Sequence, residues 1–225
     1  MNQTTKDRPG LGSIAFNPFQ YIAGGPALVA GLAMIALTAL LAWRVPVHPD
    51  GVLDLHLGPA SPWWVLQVQG LINWACMAVM VLLAGLLTAR GRFRVLDVLG
   101  TQALARAPMI LAVLMVTPRA VRAALGNVTR YAQAAAEQAG QLGAQTAPAA
   151  QAATAVPHAG DIVLLVLMAM VTIASVVWMV ALMWRGYRVS CDAKGARAII
   201  AFVAALVLAE AASKVLIWML MKPMA

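Results

Sequence analysis

Residues 94–117 read RVLDVLGTQALARAPMILAVLMVT. Whether this stretch crosses a membrane decides the fold. The clean apolar run, Ala107 to Val116, is short of the roughly 20 residues that a bilayer core about 30 Å thick requires. Extending it back to Arg94 supplies the length and brings in Asp97 and Arg106. On either side lie four easier segments. Residues 23–43 carry no charge, nor do residues 66–89. Residues 161–184 carry Asp161 only at their start, and residues 196–221 contain Glu210 and Lys214.

Charge placement favours counting 94–117 as a span. With five spans and a cytoplasmic N-terminus, the inside segments hold Lys6, Arg8, Arg90, Arg92, Arg94, Arg185, Arg188, Lys194 and Arg197. The outside segments hold Arg44, Arg119, Arg122, Arg130 and Lys222. Short cytoplasmic loops are enriched in Lys and Arg, as here. Omitting 94–117 would place Arg185 to Arg197 outside, against that rule. The expectation is therefore an all-α, polytopic membrane helical bundle of five transmembrane helices, N-terminus cytoplasmic and C-terminus outside. Residues 1–22 form a cytoplasmic and interfacial segment, and 23–222 the membrane domain. Trp43, Trp63, Trp64 and Trp218 fall near the expected outer interface and Trp184 near the inner one, the level indoles favour. Trp74 and Trp178 sit deeper, as packing residues.

Composition agrees. Of the 225 residues 62% are apolar and 11% charged, against about 25% charged in soluble domains. The mean hydropathy is +0.82. A soluble enzyme of this size cannot bury so much apolar surface, and a disordered chain has the opposite balance. The net charge of +8 reads as loop charge that orients the chain, with no nucleic acid as partner. Cys76 and Cys191 are too few for a disulfide scaffold. The first apolar run starts late and is too long for a cleavable signal, so it reads as an uncleaved span.

Ionisable residues inside spans are costly and mark functional candidates. At 1.5 Å per residue, Arg106 lies about 18 Å from the inner end of its span and Glu210 about 21 Å from the inner end of the last. The matching depths suggest an ion pair across two helices. Lys214 shares a face with Glu210 at i, i+4. Pro108 should kink the third span. Gln69 and Asn73, also i, i+4, are placed to hydrogen-bond a neighbouring helix. Small residues around Gly24-Gly25 and through the first span suit close packing.

The outer loop VPVHPDGVLDLHLG (45–58) combines a Pro49-Asp50-Gly51 turn signal with alternation over 52–57, which suggests a small β-hairpin. His48, Asp50, Asp54 and His56 are metal-ligand types, but the preferred reading is that they keep an outer loop wet, and no metal is assigned. The connection 118–160 begins as an Ala- and Gln-rich helix, with Val121, Leu125 and Val128 on a face that can lie on the membrane. It ends in low-complexity sequence over 144–157. Asn127-Val128-Thr129 matches a glycosylation sequon, too short to weigh. No Walker loop, HExxH, GxSxG or CxxC occurs. No cofactor and no catalysis are expected.

Three stretches carry a resemblance. WRGYRVSCDAKGARAIIAFVAALVLAE (184–210) has an aromatic-rich helix end, a short small-residue loop and a basic residue leading into the final helix. Leu99-Gly100-Thr101 to Pro108 looks like a proline-bearing third span, and NPFQYIAGG (17–25) like a start segment. Over residues 16–222 the chain resembles the Yip (Ypt-interacting protein) domain family, bacterial branch. The resemblance implies a five-span protein of the bacterial inner membrane with a membrane-organising or partner-binding role. Its partners would be the bilayer and membrane proteins or a second copy. Eukaryotic members bind Rab-type GTPases through a longer N-terminal domain than this chain has, so that property is not carried over, and the family offers no catalytic residues. The alternative is a small transporter or permeation subunit using Arg106, Glu210, Lys214 and the second-span amides.

Overall fold

The computed structural model describes residues 11–45, 47–58, 61–89, 91–141 and 158–221. Lys6, Arg8, Arg90, Lys222 and the low-complexity stretch 144–157 lie outside them. The elements in order are α1 (Leu11–Phe16), a 3-10 turn (Pro18–Gln20), α2 (Gly24–Ala42), β1 (Val47–His48), β2 (His56–Leu57), α3 (Trp63–Thr88), α4 (Val95–Leu104), α5 (Met109–Val116), α6 (Arg119–Gln141), α7 (Ala159–Cys191) and α8 (Ala196–Met221). Five stretches are long and apolar enough to cross a membrane: Gly24–Ala42, Trp63–Thr88, Val95–Val116, Ala159–Cys191 and Ala196–Met221. The first, second, fourth and last match the segments read from sequence, and Val95–Val116 is the disputed one. At about 50 Å, α7 is longer than a bilayer core, and its last turns carry Arg185 and Arg188.

Two compact units are present. The first comprises residues up to Ile110 and from Val176 onward, and the second Leu111–Ser175. In the first, α4 packs on α2 and α3, and α3 on α8. The α2–α4 approach depends on missing side chains. A Cβ on Gly31 would overlap the backbone of Ala103 and Leu104, and one on Gly100 would overlap the Gly24 carbonyl. Small residues bring helix backbones together where the surrounding lipid gives no hydrophobic drive. Gly25, by contrast, has open space around it.

Polar side chains fasten α4 to its neighbours. Gln102 Nε2 donates to the Met183 carbonyl (3.1 Å) and Thr101 Oγ1 bonds Ser190 Oγ (3.2 Å). Trp74 Nε1 donates to the Leu99 carbonyl (3.1 Å). These bonds explain an inverse pattern. Val95–Val116 has the lowest mean hydropathy of the five stretches, yet its most apolar part is largely buried, whereas Ala159–Cys191 has the highest and its most apolar part is mostly exposed. A helix enclosed by protein tolerates polar residues because partners satisfy them. A helix facing lipid cannot.

The third span breaks where Pro108 stands. Met109 and Ile110 donate to Arg106 and Ala107, three residues back, in the tighter turn that replaces the helical bond Pro108 cannot make. At one end of the first unit, Trp184, Tyr187 and Phe202 form an aromatic cluster, with Arg188 5.8 Å above the Trp184 ring. The Tyr187 hydroxyl bonds Thr88 Oγ1. The linker 192–195 is short, its turn set by Asp192 (φ 45°) and Gly195 (φ 79°). The start segment docks on α7: Trp178 Nε1 donates to the Ala15 carbonyl (3.2 Å), Arg185 Nη1 to that of Phe16, and Phe19 is buried.

Within the second unit, Ala112, Val113, Val116, Val121 and Ala124 are buried. The expected helix after residue 118 is α6. Asn127 of the sequon donates to Asp161 Oδ2 at the start of α7 (2.9 Å).

Candidate functional site

The loop between α2 and α3 forms the expected hairpin, but shorter than the alternation suggested. Its two strands pair antiparallel, Val47 with Leu57 and His48 with His56. Residues 49–55 make the tip, which does not simply sit in water: Gly51 and Val52 are buried, as are Val47 and His48 of β1.

Three contacts tie this tip to α3 and α8. The Leu53 N–H donates to Glu210 Oε2 (2.8 Å). Asn73 Nδ2 donates to the Pro49 carbonyl (2.8 Å). Lys214 Nζ donates to Asp54 Oδ2 (2.7 Å) and lies 3.3 Å from Glu210 Oε1. The Gly51 backbone approaches Glu210 so closely that a Cβ there would overlap its carboxylate.

The expected Arg106–Glu210 ion pair is not formed, which corrects the reading from matching depths. Depth fixes height but not rotation about the helix axis, and the hairpin holds Glu210 instead. Arg106 is 7% exposed, and its Nε and Nη2 are buried with no hydrogen-bond partner. The i, i+4 contact of Glu210 with Lys214 is present. Asn73 bonds a loop carbonyl rather than a neighbouring helix. Gln69 is buried, and its Oε1, like Asn73 Oδ1, has no partner.

The four metal-ligand types do not converge on one point. His56 Nδ1 lies 2.9 Å from Asp50 Oδ1, His48 stacks on the His56 ring (centroids 5.7 Å apart), and Asp54 faces Lys214. Among the described residues no group of three or more His, Cys, Asp or Glu is placed to hold a metal.

The reading from sequence missed the main-chain part of this site, the Leu53 N–H and Gly51. The turn signal at Pro49-Asp50-Gly51 marks the place but gives no reason for it to meet α8. Compared with known proteins, the chain matches no protein-family model, no curated protein and no solved structure.

Asn73→Ala leaves the part-buried Pro49 carbonyl without its donor. The expected loss is about 1–3 kcal/mol, read as a lower midpoint of thermal unfolding in detergent. Gln67→Ala, on the same helix, is expected to stay within about 0.5 kcal/mol.

Proposed function

We propose that the chain is a Yip-type, five-span protein of the bacterial inner membrane, N-terminus cytoplasmic and C-terminus outside. It organises the membrane or binds a partner there, and performs no catalysis. One observation carries this: Glu210 and Lys214, the ionisable groups in the interior of the last span, are engaged with the outer hairpin, a fastening use rather than a lining of a conduction route. The sparsely buried α7, with Val166, Met170 and Ile173 exposed, offers surface to lipid, a partner helix or a second copy.

The unpartnered N–H groups of Arg106 favour the second reading, a small transporter or permeation subunit. Liposomes containing the purified chain and a pH-sensitive dye separate the two. The organising role expects proton and ion leakage equal to that of protein-free vesicles. Flux that disappears in Arg106→Gln would establish transport instead.

A further inference from the structure

Beneath the hairpin the charges balance in number but not in placement. Lys214 has two carboxylates, Asp54 at 2.7 Å and Glu210 at 3.3 Å. Its side chain and that of Asp54 are 47% and 41% exposed. Arg106 is far more buried and has no carboxylate in contact, with two N–H groups unpartnered. The half-exposed cation thus holds both anions and the buried cation none. Physical chemistry favours the reverse, since an exposed pair gains little and a buried unpaired charge is costly.

Moving Glu210 from Lys214 to Arg106 would give each cation one carboxylate. Two contacts prevent this while the hairpin is down. The Leu53 N–H holds Oε2, and the Gly51 backbone is pressed against the same carboxylate. Glu210 cannot leave without the tip losing its acceptor, and the tip cannot lift without freeing Glu210. Each arrangement satisfies one group and deserts another. With the hairpin down, the Leu53 N–H is satisfied and Arg106 is not. With Glu210 on Arg106, the guanidinium is satisfied and the tip keeps only Asn73 and the Lys214–Asp54 pair. Two packings with complementary defects make a bistable element.

We propose that the outer hairpin is a lid, latched by Glu210 and released when Glu210 transfers to Arg106. The inference stands whichever role the chain has. It assigns Arg106 a place as the receiving end of the latch, and Gly51 a place as the contact through which the lid senses Glu210.

Val52 reports the lid, being 1% exposed when it is down. The full chain carrying Val52→Cys, Cys76→Ala and Cys191→Ala is placed in nanodiscs, where both faces are open to a water-soluble maleimide. The labelling rate then measures opening. Arg106→Gln removes the receiver and is expected to slow labelling roughly fivefold or more, the lower end of coupling between linked sites. Glu210→Gln keeps an acceptor for the Leu53 N–H but carries no charge for Arg106 to receive, and is expected to slow labelling by a similar factor. Arg106→Lys, which keeps the charge, is expected to restore most of the original rate. Gly51→Ala gives a second route, expected to speed labelling by pushing on the carboxylate, with the gain lost when Arg106→Gln is added. If Arg106→Gln and Glu210→Gln both speed labelling, the two residues are merely structural and the lid is refuted. An unchanged rate in Arg106→Gln refutes it equally.

Discussion

Gly31→Leu is expected to separate α2 from α4 and to cost at least about 3 kcal/mol, the upper end of what overpacking usually costs. The reason is the kind of atom in the way. A flexible side chain can swing aside, but the atoms facing Gly31 are the backbone of Ala103 and Leu104, and α4 is further pinned by Gln102 and Thr101. The helices must therefore move as bodies. Relief by a shift along α2 is blocked at Gly100, which meets the Gly24 carbonyl in the same way. Equilibrium unfolding in mixed micelles gives the energy. The control is Gly25→Leu on the same helix, where nothing lies within 4 Å, expected to stay within about 0.5 kcal/mol. Equal effects from the two would mean that the close α2–α4 approach is not what holds the first unit together.

Glu210→Leu is expected to destabilise by about 1–3 kcal/mol, the cost of leaving a hydrogen-bonding group without its partner. The Leu53 N–H gives up its acceptor. Lys214 contributes little because Asp54 remains. Arg106→Leu is expected to cost much less, although Arg106 is the more buried residue. Its Nε and Nη2 have no hydrogen bonds to lose, and replacing a buried charge by an apolar group is often neutral or better. Unfolding midpoints of the two variants decide the matter. A larger loss from Arg106→Leu would show that Arg106, not Glu210, holds the site together.

How far the sequence carried depended on the type of interaction. Span positions were legible because the bilayer imposes a length and a composition on each helix separately. The segments read as 23–43 and 196–221 lie close to Gly24–Ala42 and Ala196–Met221. The third span was hard to read because α4 is enclosed. Thr101, Gln102 and Arg106 lower its hydropathy, and each lies where protein rather than lipid surrounds it. Pro108 was legible as a break because a missing N–H acts within its own helix. The contacts of Glu210 with the hairpin were not legible. They join a loop to a helix 157 positions away, and one partner is a main-chain N–H that no residue type announces. The hairpin was half legible: the turn signal placed its tip, while the alternation over 52–57 overstated its strands.

Lys194 offers the most direct test, because its side depends on whether residues 95–116 cross. It lies exposed in the linker between α7 and α8. A single cysteine at Lys194→Cys, with Cys76 and Cys191 replaced by alanine, is treated with a membrane-impermeant maleimide on intact cells and again after permeabilisation. Labelling only after permeabilisation is expected, since five crossings from the proposed cytoplasmic N-terminus leave this linker in the cytoplasm. Labelling of intact cells would contradict the proposed five-span topology, either because residues 95–116 do not cross or because the N-terminus is outside.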